Sequence, residues 1–143
     1  MGSLAPDLLA RLVRLEEALR VLGRLASQAS TLEAYRQDDA LRDRVERNFQ
    51  VAIEAIIDVA NSLIARRRLR VPSQSGEAFD VLAEAGFLDA RNALELRRWV
   101  GFRNVLVHEY AGVDHEIVFR ALTIELDTLR AVAGGMAKLA GEE

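Results

Sequence analysis

The stretch "DDALRDRVERNFQVAIEAIIDVANSLIARRR", residues 38–68, decides the fold. Its apolar residues Val45, Phe49, Ala52, Ile53, Ile56, Ile57, Ala60, Leu63 and Ile64 recur three and four apart. That spacing lines one face of an α-helix, and no two-residue alternation competes with it. Asp38 or Asp39 supplies an N-cap, because a short carboxylate can accept from the free N–H groups of the first turn. The closing arginines suit the negative end of the helix dipole, and Pro72 is the expected stop.

The same period extends outward in both directions. A first helix is expected from about Asp7 to Ser27, with Asp7 as cap and a stripe of Leu8, Leu9, Leu12, Val13, Leu15, Leu19, Leu22 and Leu25. Ser30 and Glu33 have capping-box spacing ahead of a short helical turn. "SGEAFDVLAEAG" reads as a short helix ended by Gly86. A further principal helix is entered at Asp89 and runs into "RNVLVHEY". After the break at Gly112 and a cap at Asp114, one last helix spans His115 to about Lys138, buried through Ile117, Val118, Ala121, Leu122, Ile124, Leu129 and Val132. Short connections between long helices imply an all-α, antiparallel bundle of four to five helices. The whole chain, residues 1–143, reads as one domain.

Composition narrows the function. Half of the 143 residues are apolar and 29% are charged, which excludes a disordered chain. With no cysteine, disulfides, thiolate catalysis and Cys-held metals are excluded. No His/Cys/Asp/Glu spacing suggests a metal site, no cofactor is expected, and His115 reads as an exposed residue. The first residues lack the apolar core of a signal peptide, and charges interrupt every apolar stretch, so a soluble cytoplasmic protein is expected. A net charge of −3 argues against coating nucleic acid by bulk electrostatics. Basic residues nonetheless cluster at Arg66, Arg67, Arg68 and Arg70 and again at Arg91, Arg97, Arg98 and Arg103. Arg66, Arg67, Arg70 and Arg98 are therefore candidates for contacting an RNA backbone, beside the simpler reading of a helix C-terminus and a solvated face.

"RNVLVHEY", residues 103–110, places Arg103, Asn104, His108 and Tyr110 at a helix ending. Residues five apart differ by about 140° around a helix, so Arg103 and His108 do not share a face, whereas Asn104 and His108 do. A helix that frays near Val107, or a second subunit, would let Arg103 and His108 act together. By spacing alone this is a weak signal, since such residues usually edge a core or face solvent. Trp99 and Phe102 just before them read as core. On the long helix, Asp58 and Asn61 interrupt an apolar segment; they are candidates for supporting the cleft or for polar contacts at a dimer seam. Glu54 reads as solvated.

The wider sequence adds a resemblance. Arg103, Asn104, His108 and Tyr110 complete the R-x-x-x-x-H-x-Y signature of the HepT-like family within the HEPN ribonuclease superfamily. "RVERNFQVAIEAIIDVANSLIARRRLRVP", "EAFDVLAEAGFLD" and "VDHEIVFRAL" are similar to the corresponding segments of that family, so the match spans roughly residues 8–132. The resemblance implies the toxin of a HEPN/MNT toxin–antitoxin pair: a metal-independent endoribonuclease, usually a C2 homodimer, with the motifs of two subunits facing one cleft. It implies Arg103 and His108 as catalytic residues, and a minimal nucleotidyltransferase (MNT) antitoxin that transfers AMP from ATP onto Tyr110. The alternative is a non-catalytic helical module that binds a nucleotide or a nucleotidyltransferase partner.

Overall fold

The computed structural model describes residues 6–108 and 112–142. These form seven helices and, among the described residues, no strand. They are α1 (Pro6–Gln28), α2 (Leu32–Gln37), α3 (Asp39–Arg66), α4 (Glu77–Glu84), α5 (Ala90–His108), α6 (His115–Thr123) and α7 (Leu126–Gly141). The expected all-α bundle is present, with α1, α3, α5 and α7 as its long members.

α3 is the axis of the bundle. All nine residues of its expected stripe are buried, and Leu41, Ala55 and Val59 join them. By length and hydropathy α3 could cross a membrane, but here its apolar surface is covered by α1, α4, α5 and α7. Asp38 is the cap, its Oδ1 accepting from the Leu41 N–H at 3.0 Å. α1 packs along α3 through Leu8, Leu15, Ala18, Leu22 and Leu25. Its stripe is narrower than expected: Leu9 and Val13 are exposed, because α1 presents one edge to α3 and leaves the flank open.

Several boundaries depart from the sequence reading. Asp7 lies inside the first turn of α1 rather than capping it, since Pro6 already takes the first helical position. Thr31, not Ser30, caps α2, accepting from the Ala34 N–H at 3.0 Å. α3 ends at Arg66, well before Pro72. There the Leu69 N–H reaches the Ile64 carbonyl at 3.0 Å and the Arg68 N–H reaches Ala65 at 3.2 Å. This Schellman closure requires a left-handed residue, and Arg68 supplies it at φ +55°. Gly86 closes α4 the same way at φ +87°, as its sequence position suggested.

The single last helix is in fact two. The Ile124 and Glu125 N–H groups both converge on the Arg120 carbonyl, at 2.8 and 3.1 Å. The second of these bonds spans five residues instead of four, inserting an extra residue and resetting the helical phase. α7 can then bury Leu126, Leu129, Val132, Ala133, Met136 and Ala140. Ile124 is left exposed at the break, as is Ile117 on α6, contrary to expectation for both.

Candidate functional site

α5 carries the motif, and its register is set by an aromatic cluster. Trp99 stacks on Phe49 of α3 with ring centroids 5.9 Å apart. Phe102 meets both rings edge-on, at 5.1 Å from Phe49 and 5.6 Å from Trp99. The core reading of Trp99 holds, and Phe102 packs partly buried against it. At its N-terminus α5 is capped by Asp89, whose Oδ1 accepts from the Asn92 N–H at 2.7 Å.

From this cluster the two motif residues diverge. Ala93, Leu96, Val100 and Arg103 continue one helical face, the face that packs on the core. Accordingly the Arg103 side chain is only 16% exposed. α5 remains helical through His108, so the expected fraying near Val107 does not occur within the described residues. His108 therefore stays about 140° from Arg103 around the axis. It is exposed and shares its face with Asn104, Val105 and Gly101, which are exposed as well. One chain thus offers its arginine on the core side of α5 and its histidine on the solvent side. Tyr110 lies outside the described residues.

The carboxylate facing Arg103 is the one the sequence reading set aside. Glu54 Oε2 lies 3.6 Å from Arg103 Nη1, and the Gln50 amide donates to the same oxygen at 3.2 Å. Glu54 is thus neither free nor simply solvated. Its signal in the sequence was weak, being one acid among the exposed-face residues of α3. Asp58, one turn further along, pairs instead with Arg11 of α1 at 3.9 Å. Arg11, Arg14, Glu17, Glu54 and Asp58 line an open groove of about 540 Å³ between α1 and α3. Asn61 is exposed one turn beyond Asp58.

The basic cluster is largely matched by acids. Arg66 pairs with Asp7 at 3.2 Å, and Arg98 with Glu95 at 3.0 Å. Arg70 bridges Glu77 at 2.7 Å and Glu84 at 2.6 Å, tying the loop after α3 to α4. The Arg67 guanidinium sits 4.7 Å from the centre of the Phe87 ring. The Arg70 guanidinium and the Ser73 hydroxyl and N–H hold the Glu77 carboxyl down to about 2. His115 is half-buried rather than exposed. The Arg42 guanidinium lies 3.3 Å from its Nε2, and Tyr35 packs edge-on against it at 6.4 Å. Burial pushes the Tyr35 phenol upward, so this end of the bundle keeps it neutral. Among the described residues no group of three His, Cys, Asp or Glu side chains could hold a metal ion.

The family described as ribonuclease HepT-like matches residues 15–134. The chain belongs to this HepT-like family. The mRNA nuclease HepT of Shewanella oneidensis is 32% identical over 93 residues, 65% of this chain and 70% of that protein. The tRNA nuclease HepT of Aphanizomenon flos-aquae is 29% identical over 119 residues, 80% of this chain and 81% of that one. In fold, the chain is similar to the tri-AMPylated Shewanella oneidensis HEPN toxin solved in complex with MNT antitoxin. That likeness has a TM-score of 0.82 and 23% identity, covering 94% of this chain and 98% of the toxin.

Proposed function

We propose that this protein is the ribonuclease toxin of a HEPN/MNT toxin–antitoxin pair, acting on RNA in the cytoplasm through Arg103 and His108. The observation that carries the reading is an intact Arg103–His108 pair at the end of α5 in a HepT-like chain, with Arg103 held against the core and His108 open to solvent. Cleavage without a metal needs a base for the ribose 2′-OH, an acid for the departing 5′-oxygen and positive charge at the phosphate. The 2′-oxygen attacks the adjacent phosphorus, the P–O5′ bond breaks, and the products are a 2′,3′-cyclic phosphate and a 5′-hydroxyl. Imidazole titrates near neutrality and can serve as either proton carrier, while Arg103 holds the phosphate and stabilises its developing charge. Asn104 shares the His108 face and can orient the imidazole or contact RNA.

A single chain has one such histidine, on the opposite side of α5 from its arginine. A C2 homodimer with the two α5 ends together supplies two histidines and two arginines to one cleft. In that cleft Asp58 and Asn61 are supporting groups on α3. Arg66, Arg67, Arg70 and Arg98 are outlying RNA contacts that must exchange their present partners for phosphate.

Control of the activity falls to Tyr110. The MNT antitoxin transfers AMP from ATP: the phenol oxygen bonds to the α-phosphorus, the α–β bridge breaks and pyrophosphate leaves. The added phosphate puts bulk and negative charge two residues from His108, where RNA phosphate must sit. The test is RNA cleavage by wild type and His108→Ala in EDTA, with and without the nucleotidyltransferase and ATP. The expected result is cleavage by wild type alone, abolished by AMP addition on Tyr110 as read by mass spectrometry. Equal cleavage by His108→Ala sinks the mechanism. Absence of cleavage together with nucleotide binding favours the non-catalytic binding module.

A further inference from the structure

We infer that Glu54 is the positioning residue for Arg103: it aims the guanidinium by charge while leaving the N–H donors for a phosphate. The inference rests on the ribonuclease reading above. At 3.6 Å the Arg103 Nη1 to Glu54 Oε2 separation exceeds the usual hydrogen-bonding range of about 2.7–3.2 Å. The carboxylate therefore exerts an orienting attraction without consuming an N–H. Arg103 Nε is buried and has no hydrogen-bond partner among the described residues. A guanidinium held this way keeps donors for bidentate capture of a phosphate.

Glu54 is itself held. Gln50, one turn earlier on α3, donates to the same Oε2 at 3.2 Å, which favours one carboxylate rotamer. Gln50, Glu54 and Arg103 thus form a short polar chain from α3 to α5, directly beyond the Phe49–Trp99 contact that fixes the two helices. Glu54 also lines the α1–α3 groove and is 41% exposed, so water screens its charge and limits its repulsion of an incoming phosphate. The paired Arg11 and Asp58 on the next turn keep the rest of that groove wall close to neutral.

The consequence is a split between turnover and binding. Aim matters in the transition state, and misplacement of a phosphate-clamping group costs roughly 10- to 100-fold in rate. The negative charge, by contrast, opposes the phosphate in the ground state. Glu54→Ala is therefore expected to lower kcat about 10- to 100-fold while leaving affinity for a fully 2′-O-methylated RNA unchanged or tighter. Glu54→Gln, which retains an acceptor oxygen, recovers part of the rate. Gln50→Ala gives a smaller loss of the same kind. In the wild type the Arg103 Nε–Hε resonance is expected to be dispersed and sharp; in Glu54→Ala it should move to the position of solvated arginine.

A kcat within twofold of wild type for both Glu54 variants, at unchanged thermal stability, overturns the inference. A raised kcat also overturns it, because Glu54 would then be a brake. Weakened binding at unchanged kcat assigns Glu54 to binding and overturns it too. If Glu54→Ala does not fold, Glu54→Gln and Gln50→Ala carry the test. Wild-type protein that cuts no RNA defeats the ribonuclease reading and the catalytic role of Glu54 with it. The resonance of Arg103 separately decides whether Glu54 orders the guanidinium.

Discussion

Arg68 shows how a single residue can terminate an element against its own preference. Its φ of +55° is the one left-handed value among the described non-glycine residues, and it closes α3 by the same pattern Gly86 uses for α4. A side chain in this region costs about 1–2 kcal/mol, partly offset because glycine loses more freedom on folding. Arg68→Gly is therefore expected to stabilise the protein by about 0.5–1 kcal/mol in urea unfolding. An unchanged or lower midpoint would contradict that. Glu77 offers a pH-dependent contrast. Its carboxyl is held at about 2 against an ordinary value of 4.5, so its contribution is complete above about 4.5 and disappears as pH falls toward 2. Because the group stays partly open to solvent, the effect is read as a slope: Glu77→Gln should flatten the acid arm of the thermal stability curve across that window. Both residues were visible in the sequence, yet their roles depend on which carbonyls and guanidinium lie nearby.

At the scale of elements, the α3–α5 contact governs the site. Phe49, Trp99 and Phe102 lock the two helices together just before Arg103 and Glu54 meet. Replacing a fully buried Phe49 by alanine is expected to cost about 3–5 kcal/mol in denaturant unfolding. It should also disturb Arg103, which lies one residue beyond Phe102. The apolar period was enough to place α3 and α5, and Asp38, Asp89 and Asp114 all cap as their positions suggested. It could not show that the final segment divides at Ile124, because the strip from Ile117 to Val132 has no proline or glycine to mark a break. The added residue in the Arg120 turn arises from packing: only a phase shift lets α6 and α7 each bury a face.

For the whole molecule, the decisive fact is that α5 carries Arg103 and His108 on different sides. If the working cleft draws on two subunits, Arg103→Ala and His108→Ala homodimers are each inactive. Mixed dimers, which contain one intact arginine and one intact histidine, should regain a measurable fraction of RNA cleavage. No recovery in verified heterodimers, with both homodimers dead, would mean either that Arg103 and His108 act within one chain or that cleavage needs both histidines of the cleft. Salt offers a second check on how RNA is held. Arg66, Arg70 and Arg98 already bind carboxylates, so alanine at any of them should change the salt slope of RNA binding less than alanine at Arg103.

The amino-acid sequence by itself determined the helical class, the course of α3 to within a turn of its end, most of the core and the motif from Arg103 to Tyr110. These follow from short-range periodicity, cap chemistry and ordered segments that can be read along the chain. Only the tertiary structure decided that Glu54 faces Arg103, that Asp58 turns to Arg11, and that acids from α1, α4 and α5 occupy the arginines after and beside α3. The reason is physical. Helical period tells which side of a helix a residue occupies, but ion pairs between helices depend on their axial offset and rotation. Those are set by how large side chains such as Phe49 and Trp99 interlock in the core.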